Sequence, residues 1–330
     1  MLKKLFLFFS GVGFCVVLFG QQDPQWTQNM FNKFGVNPGV AGSNGIGNIC
    51  GTFLFREQNM SFAGNPQTFM FSGHGGFRIA TVQFGTGLNV YQDQLGAEKT
   101  TNARLALAYH RGLWGGDLGV GLEGGIMSKR LTADWISIDP YYQDPSIPDN
   151  STAKTSFDMN FGVFFKREDL FVGLSVLHLV APKFNVSGTA GVTAPGAVDW
   201  NLNYAVRNHF YIMAGYNIQL SNPDLELRPM IFAKSDPATP QLDLNMNLWY
   251  KKQLWGGLSY RLQDALAILI GSDLGIASKS LENLKIGVSY DLTMSQLRRY
   301  SNGSVEFMLN YCYKLYKEPK LQRYKSVRFL

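Results

Sequence analysis

Charge is scarce in these 330 residues: only 16% are Asp, Glu, Lys or Arg, against 14% aromatic. Histidine and cysteine are scarcer still, at four and three. His74, His110, His178 and His209 show no HxxxH or His/Cys spacing, so spacing alone points to no metal site. No GxSxG motif occurs, and no Ser/His/Asp set can be picked out, so neither catalytic residues nor a cofactor are expected and the chain does not read as an enzyme. Gly119, Gly121 and Gly124 spell GxGxxG, but Leu118, Val120, Leu122 and Ile126 keep alternating around them where a dinucleotide site would need a helix. Beyond the first twenty residues no apolar stretch approaches the ~20 needed for a membrane-spanning helix.

Those first residues are a different matter. Lys3 and Lys4 precede an apolar run from Leu5 to Phe19, which ends abruptly at Gln21, the pattern of a secretory signal peptide over residues 1–20. Cys15 follows Phe14 and not a small residue, which argues against a lipoprotein. Removing the leader takes two lysines and no acid from a formal charge of +6, leaving +4. So small and scattered an excess gives no reason to expect nucleic acid.

What is abundant is glycine, 35 in all, together with a hydrophobic period close to two from about Ile46 to Tyr313. Phe157, Met159, Phe161, Val163 and Phe165 alternate with Asp158, Asn160, Gly162, Phe164 and Lys166. The same pattern recurs at 198–207, 241–250 and 284–293. Runs of about ten residues are the length of a tilted transmembrane strand, twice that of a soluble one. Tyr109 and Trp114, Trp249 and Trp255, and Tyr311 and Tyr313 lie near strand ends, as interfacial rings do. Short turns at 110–117, 166–169 and 207–209 read as periplasmic, and the Pro/Asp-rich loops at 130–154 and 181–196 as extracellular.

The fold expected is therefore all-β: a transmembrane antiparallel β-barrel of about 14 strands, within 12–16, in the bacterial outer membrane. About fifteen candidate strands can be drawn, one too many for antiparallel closure with both termini on one side. The fault is placed near 220–241, where Pro229 interrupts the pattern. The domain division is 1–20 leader, 21–45 N-terminal segment, read as either a lumen plug or a partner contact, 46–313 barrel and 314–330 basic tail.

Asp158, Asp199, Arg207, Asp243, Arg261 and Asp291 fall on the inward parity, where they either line a pore or satisfy one another in a filled lumen; a plugged or narrow lumen is expected. Cys50 and Cys312 share that parity in the first and last strands, which closure makes neighbours. They are either a seam disulfide or two free lumenal thiols, and a Cα separation above about 7 Å would exclude the bridge. The tail from Lys314 carries six basic residues against one glutamate, and is either a periplasmic handle for a partner or a disordered end.

The stretch QDPQWTQNMFN from Gln22 to Asn32, followed by NPGVAG from Asn37 to Gly42, resembles the opening of the PorP/SprF-like outer-membrane proteins of type IX secretion and gliding machinery, which begin QDPxxSQxMFN and NPAxAG. The likeness continues through Arg56, Gly64 to Pro66, Gly257 to Arg261 with Asp264 and Ala265, Ser289 to Asp291, and Gly303 to Glu306. It spans essentially the whole mature chain. Thr27 stands for the usual serine, Gly39 for alanine, and Phe55 and Asn59 soften a YRxQW pattern.

The resemblance implies a barrel that anchors, or helps assemble, a large secreted type IX surface protein and associates with periplasmic lipoproteins of that machinery. It carries no catalytic residues. The alternatives are an outer-membrane channel or transporter for a small or hydrophobic solute, favoured by an open lumen, and an enzyme, which would need a Ser/His or Asp/His set at a rim. Candidate partner contacts are Trp26, Met30 and Phe31 in the opening segment, Trp135, Tyr141 and Tyr142 in the longest loop, and Lys317, Lys320, Arg323, Lys325 and Arg328 in the tail.

Overall fold

The structure is a computed structural model; it describes residues 23–131, 153–190, 198–236, 240–278 and 281–315, with backbone alone for 186–190 and 198–204. The leader, Trp135, Tyr141 and Tyr142, and the tail cations from Lys317 to Arg328 lie outside the described residues.

Among the described residues, seventeen strands follow one another. They are β1 (Asn48–Glu57), β2 (Gln67–Ile79), β3 (Val82–Leu95), β4 (Glu98–Leu113), β5 (Gly116–Leu131), β6 (Lys154–Lys166), β7 (Leu170–Leu177), β8 (Lys183–Ala190) and β9 (Val198–Ala205). Then come β10 (His209–Tyr216), β11 (Ile218–Gln219), β12 (Leu225–Ser235), β13 (Pro240–Tyr250), β14 (Leu254–Arg261), β15 (Ala265–Asp273), β16 (Leu284–Thr293) and β17 (Ser304–Lys314). Neighbours pair antiparallel around the ring, β1 closes on β17 from Asn48↔Lys314 to Glu57↔Val305, and β10 pairs with β12. The result is a closed barrel of fourteen strands, with β8, β9 and β11 outside the count.

Alternation explains why these segments are strands, and its polarity explains where they sit. In β17, Phe307, Leu309 and Tyr311 are 41–47% exposed while Glu306 and Met308 are buried. In β4, Leu105 and Leu107 point outward while Asn102, Arg104, Ala106 and Ala108 point inward. An apolar band of this kind, wrapped around a polar interior, is stable only against lipid hydrocarbon. The protein is an outer-membrane barrel.

Four expectations need correcting. The fifteenth candidate was Val198–Ala205, which leaves the barrel and pairs with β8 in a separate hairpin between β7 and β10. Residues 207–209 are therefore the return from that hairpin and no periplasmic turn, Asp199 lies on β9, and Arg207 is exposed outside the lumen. Pro229 belongs to a genuine barrel strand, β12. On one side of it Met230 pairs with Gly215 of β10 and Leu227 with Ile218 of β11, so Pro229 and Arg228 fall where that ladder is already broken. Trp249 and Trp255 are each 4% exposed and stack in the lumen, not at a membrane interface. Trp114, Tyr109, Tyr311 and Tyr313 do face outward.

The barrel begins and ends at one rim, the terminal rim; β5 and β7 run up to the opposite one, the loop rim, which holds the longest connections. Short turns on one side and long loops on the other put the loop rim outside the cell.

Candidate functional site

The lumen is filled by the chain's own N-terminal segment. From Asp23 near the loop rim it runs down between the walls, forms one helical turn, α1 (Lys33–Val36), and a 3-10 turn at Pro38–Val40, and enters β1 at the terminal rim. Thr27, Gln28, Asn29, Asn32 and Asn37 are all at most 3% exposed. Polar side chains this deep need partners. Asn37 supplies a local one by accepting from the Gly39 amide, and its amide group donates to the Val163 and Leu174 carbonyls of β6 and β7.

The residues that carried the family resemblance converge on one buried cluster. Glu306 accepts from the Thr27 and Gln28 amides at 2.8 Å each, so its carboxylate is satisfied by the plug backbone. Arg56 donates to Asp291 at 2.8 Å, to Glu306 at 3.3 Å and to the Thr27 hydroxyl at 2.9 Å. Thr27 in turn donates to Asp291, and Arg261 pairs with Asp243, Asp264 and Asp291 at 3.3–3.4 Å. Two guanidinium groups from the wall, four wall carboxylates and the start of the plug thus form a single ionic lock. Removing Arg56 would strand Glu306 in a medium that cannot solvate it.

A second cluster fixes the segment's upper end. His178, just beyond β7, holds Asp158 on Nδ1 at 2.9 Å and Asp23 on Nε2 at 2.8 Å, while the Tyr211 hydroxyl donates to Asp23 at 2.9 Å. Burial works to raise the Asp23 carboxyl, yet the His178 ring bonded to it holds it well below the usual carboxylate range. Nearby, Glu123 joins Arg104, Asn89 and Asn160.

Lower down, backbone meets backbone. A Cβ at Gly85, Gly119 or Gly121 would overlap Ala41, Gly39 or Pro38 of the plug. The first two glycines of GxGxxG, Gly119 and Gly121, therefore mark wall positions of β5 that must lack a side chain for the plug to seat, a packing reason and not a nucleotide one. Phe34, Val36, Val40 and Ala41 pack there against Ala106, Ala108, Phe164 and Met213.

Beneath the plug, at the terminal rim, a cavity of about 350 Å³ opens, lined by Lys33, Lys166, Arg167, Arg228 and Lys285 against Glu168, the single acid among the described lining residues. Burial, with Lys166 and Arg228 adding repulsion, pushes the Lys33 ammonium down to about 7. Arg228 lies over the Trp249 ring at 4.1 Å. In the same wall Cys50 and Cys312, register partners in β1 and β17, form a disulfide with Cα atoms 4.1 Å apart, which resolves the two readings of that pair in favour of the seam bridge.

Of the sequence-predicted partner contacts, the structure buries Trp26 in the lumen and leaves Met30 and Phe31 half-buried at the vestibule, Phe31 against Trp249 and Trp255. Asp158, Asp243, Arg261 and Asp291 join the lumenal networks. Sequence reasoning missed the convergence of Thr27, Gln28, Arg56 and Glu306. The available signal was a set of charged residues on inward parity with no local partner, but which strands meet them depends on closure.

The family model for the type IX secretion system membrane protein PorP/SprF matches residues 18–311. The chain belongs to this family. It is therefore a membrane component of type IX secretion, sited in the outer membrane. No curated protein matches it by sequence. Among solved structures it is similar to the Ralstonia pickettii toluene transporter TbuX, at 11% identity and a TM-score of 0.48 over 85% of this chain and 92% of that one. It is also similar to a Pseudomonas aeruginosa FadL homologue, at 11% and 0.45 over 82% and 89%. A third is the translocator domain of the autotransporter NalP from Neisseria meningitidis, at 12% and 0.46 over 82% and 89%. Likenesses this distant carry no argument about function.

Proposed function

We propose that this family member works as a non-enzymatic anchoring or assembly barrel, holding a large secreted surface protein at its loop rim and meeting periplasmic lipoproteins of the secretion or gliding machinery at its terminal rim. The observation that carries this reading is the ionic lock: the residues of the family motifs are spent on fixing a plug in the lumen. A transporter needs a path, and here the path holds Thr27, Gln28 and Asn37 bonded to both walls. The basic vestibule, continuous with the rim from which the basic tail departs, suits an acidic periplasmic partner.

Pull-down of the tagged chain from native outer membrane in gentle detergent, followed by mass spectrometry, tests the reading. Recovery of one large secreted protein together with periplasmic lipoproteins supports it. Repetition with residues 316–330 removed asks whether Lys317, Lys320, Arg323, Lys325 and Arg328 hold the lipoproteins. A barrel recovered alone, and conducting, would favour a channel for a small solute instead.

A further inference from the structure

Two of the four histidines, unremarkable in sequence, meet at the loop rim with the start of the plug. The ligand atoms of Asp23, His178 and His209 lie within 4.8 Å of one another. The rings of His178 and His209 are 5.7 Å apart at 78°. His209 is 2% exposed, and its Nδ1 lies 2.9 Å from the Arg207 carbonyl. A carbonyl can only accept, so Nδ1 carries a proton, and in the neutral ring Nε2 presents a lone pair. That Nε2 is buried and has no hydrogen-bond partner. An orphaned basic nitrogen in a sealed site is costly unless something electrophilic meets it.

From this geometry we infer a binding site for a divalent transition ion of the zinc class, with Asp23 carboxylate, His178 Nε2 and His209 Nε2 as its ligands. Two imidazoles and one carboxylate are the donor set such an ion takes, at about 2.0–2.2 Å each. His178 Nε2 and the Asp23 carboxylate lie 2.8 Å apart and all the ligand atoms within 4.8 Å, so tetrahedral spacing needs the first pair to open slightly and His209 to approach. Both rings already have the outer partners that orient zinc-binding histidines: Asp158 on His178 Nδ1 and the Arg207 carbonyl on His209 Nδ1. Binding displaces the proton that His178 shares with Asp23 and releases it to solvent.

The ion would join three parts of the chain at one point. Asp23 is the first described residue of the plug, and His178 and His209 bracket the excursion that carries the β8–β9 hairpin. It would therefore pin the plug to the base of the extracellular hairpin.

The test uses the folded, detergent-purified barrel, stripped with a chelator and dialysed, then titrated with Zn²⁺ and counted by elemental analysis. About one zinc per chain is expected. His209→Gln and Asp23→Asn should each weaken binding at least tenfold, while His74→Gln, at the terminal rim, should not change it. Heat-dependent gel mobility verifies that each variant remains a barrel, and Co²⁺ in place of Zn²⁺ should give the visible absorption of a tetrahedral nitrogen/oxygen site in the wild type and His74→Gln but not in His209→Gln or Asp23→Asn. A folded wild-type barrel that retains no zinc, or one whose zinc is held equally well after His209→Gln, would overturn the assignment.

Discussion

The two ends of the lumen are built on opposite electrostatic plans. Toward the loop rim, Arg56 and Arg261 are answered by Asp243, Asp264, Asp291 and Glu306, and the plug supplies the remaining donors. At the terminal rim, Lys33, Lys166, Arg167, Arg228 and Lys285 line a cavity with Glu168 the only acid among the described lining residues, although several reach a neighbour: Lys285 lies 3.8 Å from Asp273, and Arg228 pairs with Glu226. Compensated charge without water is a fastener. An excess of one sign around an accessible cavity attracts something from outside. The contrast assigns closure to the upper lumen and recognition to the lower one.

The largest effect should come from breaking the fastener. Arg56→Met leaves Glu306 buried without its cation and Asp291 with Arg261 alone, and should cost about 3–5 kcal/mol, read from the urea unfolding midpoint of the barrel in detergent. A loss under about 1 kcal/mol would mean that the lock is decorative. Next is the seam. Cys50→Ser with Cys312→Ser frees the first strand from the last, and should cost about 2–4 kcal/mol without preventing closure, because the ten-pair ladder between β1 and β17 remains. Comparing reduced and oxidised wild type should give the same shift. Gly121→Val drives a side chain into the Pro38 carbonyl, and should cost about 1–3 kcal/mol while loosening the plug, seen as faster proteolysis of residues 23–45. Smallest of all, Lys166→Ala with Lys285→Ala should alter stability by no more than about 0.5 kcal/mol, yet reduce recovery of periplasmic partners. A large stability loss from that pair would erase the distinction between the two ends.

How far the sequence carries depends on what kind of information each feature needs. The barrel, its inward and outward faces, and the parity of Cys50, Cys312, Asp243 and Asp291 all follow from a period of two, which is local. The misassigned strand shows the limit: Val198–Ala205 alternates as well as any barrel strand, and only its pairing with β8 reveals that it leaves the wall. Pro229 misled in the other direction, since its missing donor matters only if a neighbour needs it, and the break between β10 and β11 removes that need. Trp249 and Trp255 lie on the inward parity near strand ends, so aromatic position alone could not separate a membrane girdle from a lumenal stack on Phe31. The meeting of Asp23, His178 and His209 depends on threading the N-terminal segment through a closed ring, which no spacing in the chain encodes.

The central claim is that the plug is a fixed part of the wall and leaves no conducting path. Single-channel recording of the folded wild-type barrel in a planar bilayer tests it most directly. The account predicts no steady conductance, with openings appearing only when Arg56 or Gly121 is substituted. Stable ohmic steps from the unmodified protein would contradict it.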